Sequence, residues 1–317
     1  MNTGLVSSLL SAQLHQTVTT LRNNISDTSV EAITGRHQDL TSHLNGRIGD
    51  GMLGQKAVDD VEREQRQLDT RASRLEFTQR SLEAVQEAGS DIGVRVIGAT
   101  AVDNFDDIEL EGKNARSALE KVFSSLNSRF GQRQLFSGDA TSTGPLNSVD
   151  EMMADLEAFR DAAATGTDLQ ADLDAYFDDP AGGWQTDIYN GTDTVSDSDS
   201  VLAIDPAITA MVKSLATIAL AADSADNPVL TGESSVVADA ATGVVNATDM
   251  LIDLRVIKGN AQEQISVRQD NLVTELTLLS EAFNQLTSRD QFAAVSELRQ
   301  METALEASYL LLSLIHI

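Results

Sequence analysis

The sequence predicts a mainly α fold: a long antiparallel helical hairpin or coiled-coil bundle built from both terminal arms, with a small mixed α/β insertion domain at its tip. Three observations carry this. Apolar residues recur at helical spacing through both arms of the 317-residue chain. All four prolines, Pro145, Pro180, Pro206 and Pro228, fall in the middle, and a proline in a helix interior costs about 3 kcal/mol. The middle also concentrates charge. Residues 137–235 hold 19 acidic side chains against Arg160 and Lys213, so 17 of the net 27 negative charges lie there. Such a self-repelling segment is expected to face solvent.

At the N-terminus, Leu5, Leu9, Leu14, Val18, Leu21 and Ile25 share roughly one helical face. A stripe this weak is marginal alone in water, so it is expected to pair with the C-terminal arm. Val61, Leu68, Leu75 and Leu82 recur every seven residues, with Val58 and Ala72 on the adjacent row. That spacing predicts a helix over 57–86, about 45 Å long at 1.5 Å per residue. Gln65, Gln79 and Gln86 make its other row polar. A second helix is expected over 102–130, with Ala115, Leu119, Val122, Phe123 and Leu126 on one face, and Gly89, Gly93 and Gly98 are expected to loosen the chain between the two.

The middle reads as mixed. Residues 149–177 look helical in pieces, and Pro180-Ala-Gly-Gly marks a turn. Trp184-Gln-Thr-Asp-Ile-Tyr alternates like a strand before Asn190-Gly191, a hairpin signal, so a small β element is expected over 183–205. In the last arm, Val236, Ala240, Ala247, Leu251 and Leu254 predict one helix. Leu272, Leu276, Leu279, Phe283 and Leu286 step by four and three, as in a coiled coil. The phase resets after Ser288-Arg289-Asp290 and continues through Ala294, Leu298, Met301, Leu305 and Leu312.

This gives three expected regions. Residues 1–40 with 271–317 form a terminal helical assembly domain, 41–136 with 207–270 a helical bundle core, and 137–206 an outer acidic insertion. Val61, Leu68, Leu75, Leu82, Leu251 and Leu254 are the expected core-packing residues. Leu5, Leu9, Leu14, Leu21, Leu298 and Leu305 are the expected assembly residues.

Composition excludes several functions. With no cysteine, there is no disulfide, thiolate metal site or cysteine nucleophile. The acidity argues against nucleic acid, whose binding needs basic residues, and against an anionic membrane surface. The first 21 residues hold no Lys or Arg, so the basic start of a cleavable signal peptide is missing. His37 and His43 lie six apart, off a common helix face, so the histidines are not expected to assemble a site. Asp197-Ser-Asp199 fails as an EF-hand because Val201 and Ile208 occupy ligand positions; a solvated acidic loop is the better reading. No nucleophile, base and oxyanion set emerges. Neither an enzyme nor a cofactor is expected.

Three stretches nevertheless resemble a known family. Phe123-Ser-Ser-Leu-Asn-Ser-Arg-Phe-Gly-Gln-Arg-Gln-Leu-Phe-Ser-Gly138 looks like the "LN…GxxLFxG" segment of the flagellin superfamily, followed by a threonine-rich run to Pro145. Trp184-Gln-Thr-Asp-Ile-Tyr189-Asn-Gly191 is similar to its "YxG" strand. Residues 290–309 are similar to its C-terminal helix, with Gln300 and Leu305-Glu-Ala-Ser308 in the matching step. Thr34-Gly-Arg36 matches half of the box that follows the family's first helix, but His37-Gln-Asp-Leu-Thr replaces the rest. That departure points toward the hook-filament junction proteins (hook-associated protein 3) rather than filament flagellins. A flagellin-type filament subunit is one alternative, and a cytosolic coiled-coil scaffold is another.

The resemblance implies a structural role in the bacterial flagellum. It implies type III export without a cleaved signal, an extracellular location, and self-association in a ring between hook-side junction protein and flagellin. An export chaperone is implied as a further partner. It also implies terminal helices that order only on assembly. Because the acidic middle is expected to face solvent, deletion of 183–200 is expected to leave motility largely intact. The last six residues, Leu312-Ser-Leu-Ile-His-Ile317, resemble a translated transposase adaptor, so the native match is expected to end at Leu311 or Leu312.

Overall fold

The computed structural model describes residues 3–44, 48–232 and 235–315, and the side chains of 3–11, 48, 312 and 315 also fall outside the described residues. The side chains of Leu5, Leu9, Leu312 and Ile315, and residues His316 and Ile317, therefore lie outside them. In chain order the helices are α1 (Thr3–Thr34), α2 (Leu40–Leu44), α3 (Ile48–Thr100), α4 (Phe105–Leu126), α5 (Val149–Ala162), α6 (Gly166–Asp178), α7 (Pro206–Ala219), α8 (Pro228–Thr231), α9 (Val236–Thr287) and α10 (Gln291–Ile315). Two-residue strands β1 (Arg129–Phe130) and β2 (Arg133–Gln134) pair antiparallel, Arg129 opposite Gln134. The fold is mainly α. It divides into two units: residues 1–66 with 269–317, and residues 67–268.

The central unit, residues 67–268, holds one contiguous apolar core. Each helix enters it for a local reason. Asn104 caps α4 by accepting from the Asp107 N–H, and Ile108, Ala115, Leu119, Val122 and Leu126 bury one face of that helix. Ser148 caps α5 through the Glu151 N–H, and Thr165 caps α6 through the Asp168 N–H. Pro206 and Pro228 occupy the first positions of α7 and α8, after capping residues Asp205 and Asn227. A missing N–H costs nothing there. Within the core, Trp184 lies 6.1 Å from Phe123 and 5.7 Å from Phe177, ring to ring. Its indole N–H donates to Thr209 Oγ1 at 3.1 Å.

Three expectations change. First, α3 runs unbroken through Gly89, Gly93 and Gly98. At Gly93 a Cβ would meet the Ala241 carbonyl oxygen at 2.9 Å, so the glycine serves close approach to α9 rather than a break. Second, residues 184–188 form a single π-type turn instead of a strand. The β pairing there is one isolated bridge, Leu146 to Tyr189. A fully buried Trp184 and Ile188 suit a turn packed inside, which alternation cannot distinguish from a half-buried strand. Third, the acidic middle does not simply face solvent. Its carboxylates are mostly exposed, but Trp184, Ile188, Tyr189, Val201 and Ala203 join the core. Deletion of 183–200 is thus a deletion of core.

Val61 is buried in the terminal unit, and Leu68 is half-buried. Leu75, Leu82 and Leu251 are buried in the central unit, with Leu254 packed against its core. The polar row also finds partners: Gln79 Nε2 donates to the Arg255 carbonyl at 2.7 Å, and Arg255 donates to Gln86 Oε1 at 2.6 Å. Leu75 is 1% exposed, whereas Val94 on the same helix is 64% exposed. Leu75→Ala is expected to lower the stability of the full chain by roughly 2–5 kcal/mol. Val94→Ala is expected to change it by less than about 0.5 kcal/mol. Denaturant melts check both values, and a Leu75 change in the smaller range removes it from the core.

Candidate functional site

In the terminal unit, residues 1–66 with 269–317, α1 packs along α10. The joint between them is polar and formed by two turns far apart in sequence. Arg36 and Ser288 make an isolated antiparallel bridge. The His37 N–H donates to the Thr287 carbonyl at 3.1 Å, and the Arg289 N–H donates to the Gly35 carbonyl at 2.8 Å. Asp290 Oδ1 caps α10 by accepting from the Phe292 and Ala293 N–H groups. Gln291 Nε2 then reaches the Ile33 carbonyl at 3.3 Å. The half-box Thr34-Gly-Arg36 and the phase break Ser288-Arg289-Asp290 are therefore one structural feature.

Charge locks the same joint. Glu31 Oε1 accepts from the Gln38 N–H at 2.9 Å and lies 3.5 Å from His37 Nδ1. Its Oε2 lies 3.4 Å from Arg289 Nε, and Arg289 also pairs with Glu297. The histidines, expected to stay apart, are stacked: the His37 and His43 rings sit 3.6 Å apart at 16°. Helical spacing could not reveal this, because His37 lies in the turn before α2 and only His43 is on a helix.

Outside the joint, the terminal unit buries little. Its buried apolar side chains among the described residues are Val18, Leu44, Val61, Leu272 and Ala294. Leu14, Leu21, Leu298 and Leu305 are half-buried. Phe292 is 90% exposed and Ile33 77%, and Met52, Leu53, Leu310 and Leu314 are exposed too. These side chains make the terminal unit a candidate assembly surface, since large uncovered apolar surface marks interaction sites.

The residues of the family-like motifs do architectural work in the central unit. Asn127 Nδ2 donates to the Leu146 carbonyl at 3.2 Å, and Asn127 Oδ1 accepts from the Leu146 N–H at 3.1 Å. Gly138 has φ +63°, and a Cβ there would meet the Thr192 carbonyl oxygen at 2.3 Å. The Thr192 N–H donates to Ser137 O, and the Ala203 N–H donates to Phe136 O. Tyr189 donates its hydroxyl to Thr192 O at 3.0 Å, and burial, with Asp193 adding to it, pushes its pKa up to about 12.

Asp197 and Asp199 are likewise not part of a free loop. Arg71 pairs with Asp199 and Arg74 with Asp197. Lys258 donates to the Ser198 and Ser200 carbonyls at 3.4 and 3.2 Å. The hydrogen bond from Arg71 holds the Asp199 carboxyl below the usual aspartate range, against the opposing effect of burial. Among the described residues, no three metal-ligating side chains cluster and no helix is long and apolar enough to cross a membrane. A 510 Å³ cleft between α6, α7 and α9 contains Lys213, whose ammonium bridges Asp174 and Asp178 at 2.7 and 2.6 Å.

A carboxylate whose pKa is depressed by folding stabilises the fold above its unfolded value of about 3.9. That contribution is lost as pH falls through the folded value. Thermal stability is therefore expected to fall below pH of about 4, in part through Asp199. Asp199→Asn is expected to lower the transition at pH 7 and to flatten its acid dependence. An unchanged acid profile in that variant removes Asp199 as a cause.

No protein-family model matches the chain, and no curated protein sequence matches it. Among solved structures, the chain is similar to the crystal structure of Bacillus cereus FlgL, with 12% identity and a TM-score of 0.44. That similarity covers 75% of this chain and 97% of the other.

Proposed function

We propose that this chain is a non-catalytic structural subunit of the bacterial flagellum, an adaptor that self-associates in a ring at the junction of hook and filament. In this reading it is exported by the type III route without a cleaved signal and assembles outside the cell. Its neighbours are hook-side junction protein on one side and flagellin on the other, and a chaperone shields it before export. The observation that carries the reading is the unequal burial of the two units. The contiguous apolar core lies entirely within residues 67–268. The terminal unit keeps long helices while Phe292, Ile33, Met52 and Leu310 stay in water. Burying a side chain such as Phe or Ile gains roughly 1.5–3 kcal/mol, so subunit contacts through these helices would supply what the isolated unit lacks. The family-like motifs agree with this division: Asn127, Gly138 and Tyr189 build the central unit, and residues 290–309 form most of α10.

Deletion of residues 1–30 is expected to abolish incorporation into flagella while the central unit still unfolds cooperatively. Phe292→Ser is expected to weaken incorporation at least tenfold with unchanged helicity. Motility, fractionated flagella and circular dichroism on the full chain read these outcomes. Normal incorporation of both variants would sink the proposal. Incorporation along the whole filament, rather than at its base, would instead favour a filament subunit.

A further inference from the structure

We propose that the stacked His37–His43 pair is a pH-sensitive pin on the turn between α1 and α2, closed while His37 is neutral and opened when acid charges it. The two rings lie parallel within 16° at 3.6 Å. Neutral imidazoles can hold that contact, but two imidazolium ions at that distance repel each other strongly. The second positive charge on the pair must therefore either be resisted or separate the rings.

The surroundings make resistance weak and separation consequential. The charged groups around His37 come from three elements: Glu31 on α1, His43 on α2, and Arg289 in the turn before α10. Glu31 is the group that could hold His37 charged, but its carboxylate is shared. Its Oε2 faces Arg289, and its Oε1 already accepts from the Gln38 N–H. Arg36, beside His37 in sequence, turns its guanidinium to Asn284 Oδ1 at 3.3 Å. Burial is the largest influence on His37 and lowers its pKa from 6.5, with His43 and Arg289 lowering it further and Glu31 opposing them. A base with a depressed pKa adds stability above its unfolded value of about 6.5 and loses it as pH falls through the folded value. The loss therefore falls below pH 6.5.

The position gives the pin its effect. His37 also donates its backbone N–H to Thr287 at the end of α9. His43 sits on α2, whose Leu44 is among the few buried side chains of the terminal unit. Opening the stack releases α2 from the joint that ties α1 to α10. Acid thus loosens the terminal helices by a local charge event, independent of the proposed flagellar role.

The test is an NMR titration of His37 in the full chain, with hydrogen exchange of the Gln38 and His43 amides at pH 7.5 and 5.0, corrected for intrinsic exchange. Wild type is expected to titrate His37 below 6.5 and to lose at least tenfold protection at those amides at pH 5.0. His43→Phe keeps an aromatic stack without the second charge. It is expected to raise the His37 pKa and to retain protection at pH 5.0. Equal protection at both pH values in wild type overturns the pin. So does a His37 titration that His43→Phe leaves unchanged in a variant of normal helicity.

Discussion

Gly93 on α3 lies against the backbone of Ala241 on α9, where any side chain would meet the carbonyl oxygen at 2.9 Å. This close approach orders the rest of the central unit. It lets Val96, Ala241 and Val244 pack inside, and it sets the same helices near enough for Gln79 and Gln86 to reach Arg255. At Gly89 a Cβ would instead meet the sulfur of Met211 on α7, the end of a flexible side chain, at 2.4 Å. A glycine inside a helix gives up roughly 0.8–1 kcal/mol of propensity relative to alanine. Tertiary packing offsets that loss, which is why α3 stays continuous where sequence alone suggests a break.

The long seven-residue repeats are legible because they report one face of a helix against a partner. Val61, Leu68, Leu75 and Leu82 mark α3, and Leu272 to Leu286 mark the end of α9. Elements whose burial is not periodic are harder to read. Helix α7 is buried nearly all round, Ser214 and Thr217 included along with Ile208, Met211, Val212 and Leu215, so its burial is not confined to one stripe. Residues 184–188 mimic strand alternation but bury Trp184 and Ile188 in a tight turn. Asp197 and Asp199 read as a solvated run because their partners Arg71 and Arg74 lie more than 120 residues away. The histidine pair escapes for the same reason on a smaller scale: a turn, not a helix, brings the rings together.

The acidic middle raises a physical question of its own. Seventeen net negative charges in residues 137–235 oppose compaction by self-repulsion. The fold meets this in two ways. Nine of the nineteen carboxylates sit on α5 and α6, all but Glu157 of them exposed, where water screens them. The more buried ones are met by cations from other elements: Arg71 and Arg74 from α3, and Lys258 from α9. Within the segment, Lys213 pairs with the exposed Asp174 and Asp178. Positive charge outside the segment thus ties the segment to the long helices. The aromatic cluster of Phe123, Trp184 and Phe177 supplies the apolar part of the attachment.

A chain whose terminal helices leave Phe292 and Ile33 in water cannot draw its stability from them. The central unit must therefore be stable by itself, and its single contiguous core meets that requirement. The consequence is a separation of effects along the sequence. Substitutions at Leu75, Trp184 or Leu251 act on folding, because their side chains are enclosed. Substitutions at Phe292, Ile33 or Leu310 leave folding nearly untouched, since no packed neighbour is lost. Their cost appears only when another surface covers them. The polar joint of Glu31, Arg289 and the Arg36–Ser288 bridge lies between these regimes. It contributes hydrogen bonds rather than buried area, so it fixes where α1 and α10 turn without making the terminal unit self-sufficient.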